Sequence, residues 1–175
     1  MIADVRCRWQ LLLLLVLLLL SAETSARTLM PTPHEARIAA CIRQASGGHA
    51  WLEKTLWGLR DQEAGWIGAE IANSNGTHDL GPLQVNSFWV PKLAGLLRRK
   101  PTQVRSWLID DPCFNVQAAR WIFLNGLSVT GDYWRAIGVY HSPTAWRQRR
   151  YAASVAHHLK QRFGARIFAS HNIDR

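Results

Sequence analysis

Leu59-Arg-Asp-Gln-Glu63-Ala-Gly65, followed by Asn73-Ser-Asn-Gly76-Thr-His-Asp79-Leu-Gly81-Pro-Leu-Gln84-Val-Asn86-Ser87, is the stretch around which the chain is arranged. Leu52, Leu56 and Leu59 precede it at spacings of four and three, so one helical face points into a core. Glu63 lies four residues past Leu59, on that same face. A carboxylic acid held in an apolar wall is disfavoured as an anion, so its pKa rises. Its proton then stays available near neutral pH for donation to a leaving group. The alternative is a Glu63 that frays into solvent past a helix ended by Gly65. Beyond it, a polar, glycine-marked turn leads to a second carboxylate, Asp79, and then to Gly81, Gln84 and Asn86.

On either side the chain reads as mainly helical. A helix is expected from about His34 to Ala45, broken by Gly47-Gly48, and a second from Ala50 to Gln62 delivers Glu63. From Trp66 to Leu80 the pattern changes to strand-like pieces around Asn75-Gly76, read as a small, irregular β-hairpin. Gly81 then opens a short helix carrying Gln84, and Pro91 restarts a helical course towards Leu97. Further helices are expected over Thr102 to Leu108, from Asp111-Pro112 to about Leu124 with a stop near Gly126, from Gly131-Asp132 to Tyr140, and from Thr144 to near Gly164.

Residues 1–26 read as a secretory signal. Arg6 and Arg8 precede the apolar run Leu11 to Leu20, and Thr24-Ser25-Ala26 supplies small residues for cleavage. The run is about ten residues, where a membrane span needs about twenty. Export to the periplasm is the favoured reading, and an uncleaved anchor the minority one. Residues 27–164 then form one domain and 165–175 a loose tail. Without Cys7 the exported chain keeps two cysteines, Cys41 and Cys113, an even count in an oxidising compartment. A bridge between them would close a loop containing both carboxylates, worth about 4 kcal/mol in the chain-entropy model. Two buried free thiols are the alternative.

The formal net charge is +9, and it is unchanged without the leader, whose Arg6 and Arg8 balance Asp4 and Glu23. Much of it sits in Arg147, Arg149, Arg150, Lys160, Arg162 and Arg166, on or beside one predicted helix. Such a surface attracts an anionic partner, such as nucleic acid, membrane lipid or bacterial cell wall, or is simply solvated. No zinc-ligand spacing, nucleotide-binding glycine loop or recognisable nucleic-acid module accompanies it. Neither a cofactor nor a nucleic-acid partner is therefore expected. Eight of the nine tryptophans lie beyond the leader. An indole suits a sugar ring, though most of these are read as packing residues.

Glu63 followed by Gly81-x-x-Gln84 resembles the signature of the goose-type lysozyme and soluble lytic transglycosylase superfamily. The run Asn75 to Ser87 is similar to one branch of it, the small lytic transglycosylases of bacterial conjugation, secretion and pilus systems. The resemblance extends over about Ala36 to Leu159. It implies a mainly α, lysozyme-like α+β fold with a small β-hairpin after the catalytic helix. It also agrees with a Cys41–Cys113 bridge. The implied activity is cleavage of the β-1,4 bond between N-acetylmuramic acid and N-acetylglucosamine in peptidoglycan strands, with the sugar's own 6-hydroxyl closing a 1,6-anhydro ring. Glu63 would serve as acid and then as base. Components of a secretion, conjugation or pilus system are the implied partners.

The same likeness implies substrate-binding roles for Gly81, Gln84, Asp79, Tyr140 and His141. Gln84 would bond an acetamido group or hold the backbone near Glu63. Gly81 would admit backbone close to sugar, or supply a positive φ. Ala136-Ile-Gly-Val-Tyr140-His141-Ser142 resembles the Ala-x-Tyr-Asn-x-Gly motif, in which the Tyr hydroxyl bonds the catalytic Glu; Tyr140 takes that role by position. His141 stands for the usual Asn, Ala64 for the Ser after the Glu, and Pro82 for an apolar residue. Asp79 to Ser87 also resembles the Asp-Tyr-Gly-Ile-Leu-Gln-Ile-Asn-Ser stretch of animal c-type lysozymes, where the Asp is the second carboxylate. A hydrolytic muramidase using Glu63 and Asp79 is therefore one rival, and a non-catalytic wall-binding assembly module another. Otherwise Asp79 binds backbone N–H groups in the turn, Asn86 and Ser87 cap a helix, and Glu53 and Glu70 are solvated.

Overall fold

A computed structural model describes residues 32–168. The leader lies outside this range, as does the end of the tail. Among the described residues the elements are, in chain order, α1 Pro33–Ser46, α2 Ala50–Glu63, β1 Glu70–Ala72, β2 His78–Leu80, β3 Val85–Asn86, α3 Val90–Leu97, α4 Pro101–Asp110, α5 Pro112–Thr130, α6 Tyr133–His141 and α7 Ala145–Phe163. Among the described residues no helix is long and apolar enough to cross a membrane.

The expected mainly helical α+β architecture is present, and its differences in detail have local causes. The sheet has three antiparallel strands in the order β1-β2-β3, with Glu70 opposite Leu80 and Asp79 opposite Asn86. Gln84 is not on a helix. Its φ of +47 follows Gly81 at +67, so the chain turns back and pairs as β3. Helix α5 passes through Gly126 rather than stopping there, because that glycine is buried where a Cβ would stand 3.0 Å from Val139. The helix ends at Gly131, in the left-handed conformation (φ +64). Its start follows the sequence, with Asp111 Oδ1 accepting from the Cys113 and Phe114 N–H groups and Pro112 at the first turn. At the far end, Ala165–Phe168 forms a short 3-10 turn instead of loose chain, with Phe168 packed edge-on against Trp134.

Close helix contacts bring the later helices onto α2. A Cβ at Gly58 would stand 2.9 Å from the Leu159 side chain, so the glycine lets α2 and α7 touch. Gly138 does the same for α6 and α7, since a Cβ there would lie 2.5 Å from that of Gln148. Leu52, Leu56 and Leu59 are buried on α2 alongside Val155 and Leu159 of α7.

Cys41 on α1 is disulfide-bonded to Cys113 in the first turn of α5, Cα to Cα 4.7 Å, across 72 residues. Replacing both by Ala should lower stability by about 4 kcal/mol. Urea denaturation of the two proteins checks this, and equal midpoints would remove the cross-link from the stabilising contacts.

Candidate active site

Glu63 is the last residue of α2, and Ala64 follows in the left-handed conformation with its N–H on the Arg60 carbonyl. The apolar register that buries Leu56 and Leu59 carries Glu63 inward, where it is half-buried. Its carboxyl accepts a hydrogen bond from the Tyr151 hydroxyl of α7. Burial raises its pKa from 4.5 to about 7; the Tyr151 bond works against that rise and the Asp79 charge adds to it. The acid is therefore held half-protonated at neutral pH.

Glu63 lines a cavity of about 420 Å³ together with Asp79, Gln84, Asn86, Tyr140 and His141. Asp79 sits on β2, where Asn86 of β3, its cross-strand partner, donates to its carboxylate at 2.7 Å. The same Asn86 accepts from the Phe88 N–H at the head of a 3-10 turn and donates to Thr77. Asn86 is thus a cap, as expected, and also the holder of Asp79. The hydrogen bond found for Asp79 is to this side chain, not to backbone N–H groups. In the turn it is Asn75 that binds backbone, accepting from the Thr77 N–H.

The Gly81–Gln84 turn packs tightly against protein, while Gln84 also lines the cavity. A Cβ at Gly81 would fall 2.1 Å from the Leu108 carbonyl oxygen and 2.5 Å from Asn115 Nδ2, so only glycine fits this positive-φ position. Of the two uses foreseen for Gly81, the positive φ is the one seen, and its close approach is to α4 and α5. Gln84 Nε2 donates to the Gly81 carbonyl at 2.8 Å, so its amide holds backbone. That amide and carbonyl press on Gly65, where a Cβ would stand 2.3 Å from the Gly81 oxygen. Gly65 thereby locks the end of α2 to the turn. Gly65→Ala should destabilise the fold by about 2 kcal/mol through overpacking. It should also shift Glu63 relative to Gln84, reducing turnover of any glycan cleaved here more than tenfold; wild-type turnover in a folded variant would break this link.

Tyr140 does not hold Glu63. Its hydroxyl donates to the Leu83 carbonyl at 2.8 Å, and the phenol that reaches Glu63 is Tyr151. The reason is geometric. Tyr140 lies near the end of α6, above the turn, while Tyr151 comes from the face of α7 that Gly58 and Gly138 admit to the core. The two rings are stacked, with centroids 6.5 Å apart. Burial, followed by the Glu63 charge, raises both phenols well above their usual range, so both stay protonated. His141 lies flat on Tyr151 at 4.5 Å and 3°. Burial and nearby Arg147 lower its pKa against the opposing pull of Asp79, so the imidazole is neutral at pH 7.

Two residues that position this site escape a reading of the sequence. Tyr151 stands four residues before Val155 and eight before Leu159, a spacing that marks a core aromatic. Asn115, fully buried on α5, accepts from the Leu83 N–H and donates to the Leu80 and Leu108 carbonyls. It satisfies backbone groups on both sides of the turn. The only hint is a polar residue within the apolar register of a helix. Glu53 and Glu70 do not line the cavity, and Glu70 pairs with Arg105 of α4.

No family model matches the chain. It is similar to invasion protein IagB of Salmonella typhimurium, 28% identical over 122 residues that make up 67% of this chain and 73% of that protein. It is also similar to protein IpgF of Shigella flexneri, 25% identical over 132 residues, 75% of this chain and 83% of IpgF. The chain is thus a relative, at modest identity and over most of their length, of bacterial proteins of which one is named for invasion.

Proposed function

We propose that this chain is a peptidoglycan lytic transglycosylase that cuts the β-1,4 bond between N-acetylmuramic acid and N-acetylglucosamine. The observation that carries the reading is Glu63, with a pKa of about 7, bonded to Tyr151 and lining a polar cavity. In its neutral form Glu63 donates its proton to the glycosidic oxygen, and positive charge develops at C1 of the muramyl ring. The carboxylate left behind takes the proton of the muramyl 6-hydroxyl as that oxygen closes on C1. The product is a 1,6-anhydro end, and no water is consumed. Tyr151 orients the carboxyl and stabilises the anion between the two steps. Burial is what chiefly keeps Glu63 protonated before the first step; the charge of Asp79, held by Asn86, adds to this and stabilises the positive charge at C1.

The likeness to a protein named for invasion supports work on behalf of an envelope-spanning secretion apparatus, for which the enzyme would open the wall locally. The Cys41–Cys113 disulfide fits the oxidising periplasm.

A second reading has its own observation. Asp79 lines the same cavity as Glu63, so the pair could run a retaining hydrolysis as a muramidase. Mass spectrometry of digested glycan separates the two. Anhydro-muramyl ends are expected. Reducing ends would replace the lyase by the hydrolase, and binding without products would leave a wall-binding assembly module.

A further inference from the structure

Helix α7 carries five Arg or Lys residues and no Asp or Glu, and its two ends differ. Near the C-terminal end Arg162 grips Asp61 of α2 with two hydrogen bonds, at 2.6 and 2.7 Å, and lies 3.9 Å over Trp57. That cation belongs to the fold. Near the other end Arg147 and Arg150 stand about one turn apart, both exposed, and neither has an ion-pair or hydrogen-bond partner among the described residues. Arg147 lies 5.3 Å over the ring of Trp146, which is 54% exposed.

These three side chains line a second cavity, of about 450 Å³, together with Gln62, His141 and Tyr151. It adjoins the first one. Arg147 and His141 line both, and the Tyr151 ring that walls the second cavity bears the hydroxyl that holds Glu63. Gln62, the residue before Glu63, has a buried Oε1 with no hydrogen-bond partner among the described residues. Two guanidinium groups without an anion of the chain's own repel one another, and their planar N–H donors match a carboxylate. An exposed indole beside them offers a face to apolar atoms.

We infer that this cavity is a subsite for the carboxylate-bearing substituent on the muramyl sugar. Arg147 and Arg150 bind the carboxylate, and Trp146 covers the apolar part. The inference rests on the peptidoglycan reading above. The carboxylate belongs either to the lactyl group itself, in strands stripped of peptide, or to the peptide stem.

The test is binding to the full exported chain carrying Glu63→Gln, followed by tryptophan fluorescence and calorimetry. The probes are a stem-bearing muropeptide tetrasaccharide, the same strand stripped of peptide, and a chitin tetrasaccharide without any carboxylate. Adding Arg150→Glu should weaken stem-bearing strands at least about tenfold, the loss expected for one charge-assisted contact. Chitin binding should not change, and Arg150→Lys should restore much of the loss. A loss confined to the stripped strand assigns the subsite to the free lactyl carboxylate, one confined to stem-bearing strands assigns it to the peptide, and a loss on both means that either carboxylate fills it. Loss on chitin as well, or no loss on any carboxylate-bearing strand, overturns the subsite. If wild-type protein cleaves nothing while the Arg150 discrimination persists, the catalytic reading falls and the subsite stands.

Discussion

Glu63→Gln gives a folded protein that has lost at least about 10³-fold in glycan cleavage, within the range of a missing general acid. Its stability carries a second signature. The wild-type carboxyl is raised from 4.5 to about 7 in the fold, so it binds its proton more tightly folded than unfolded. The stability contributed by that group is therefore fully present below about pH 4.5 and declines as pH rises to about 7. The full decline amounts to about 3 kcal/mol. Glutamine has no charge to bury. The variant should match wild type near pH 4 and exceed it by about that amount at pH 8. Urea denaturation at the two pH values reads the difference. An unchanged difference would mean that Glu63 is solvated, and the proposed proton donor would be gone.

Tyr151→Phe has the next largest effect. The Tyr151 bond lowers the pKa of Glu63, so its loss moves that pKa above about 7. Cleavage requires the protonated acid in its first step and falls as pH rises through this pKa; in the variant that alkaline limb should move upward. The anion between the two steps loses its donor, and kcat should fall about 10²-fold. Tyr140→Phe supplies the contrast, because its hydroxyl serves the Leu83 carbonyl. It should cost about 1 kcal/mol of stability and leave the pH limb in place. A limb moved by Tyr140→Phe and not by Tyr151→Phe would return the role to the position that the motif suggested.

That contrast shows where a linear reading is blind. The tyrosine of the Ala-x-Tyr-like segment is present and lines the cavity, yet the contact to Glu63 belongs to another helix. Spacing along a chain places a side chain on a face of its own helix. It does not say which of two neighbouring helices comes closer, and here Gly58 and Gly138 set that distance. The Gly81–Gln84 turn is a similar case. Its residue types were recognisable, but its partners, Leu108, Asn115 and Gly65, are scattered through the chain and meet only on folding. The basic residues of α7 had to be sorted in the same way, since one end pairs with Asp61 and the other faces open cavity.

Local chemistry was enough for the helical architecture, the Asp111-Pro112 helix start and the two cysteines able to pair, and it left an inward Glu63 beside a frayed one. Each follows from periodicity, a cap or a count, which are properties of neighbouring residues. The hydrogen-bond partner of Glu63, its pKa near 7, the burial of Asn115 and the division of the arginines needed the packed molecule. They depend on which helices are allowed to touch, and on the water that those contacts exclude.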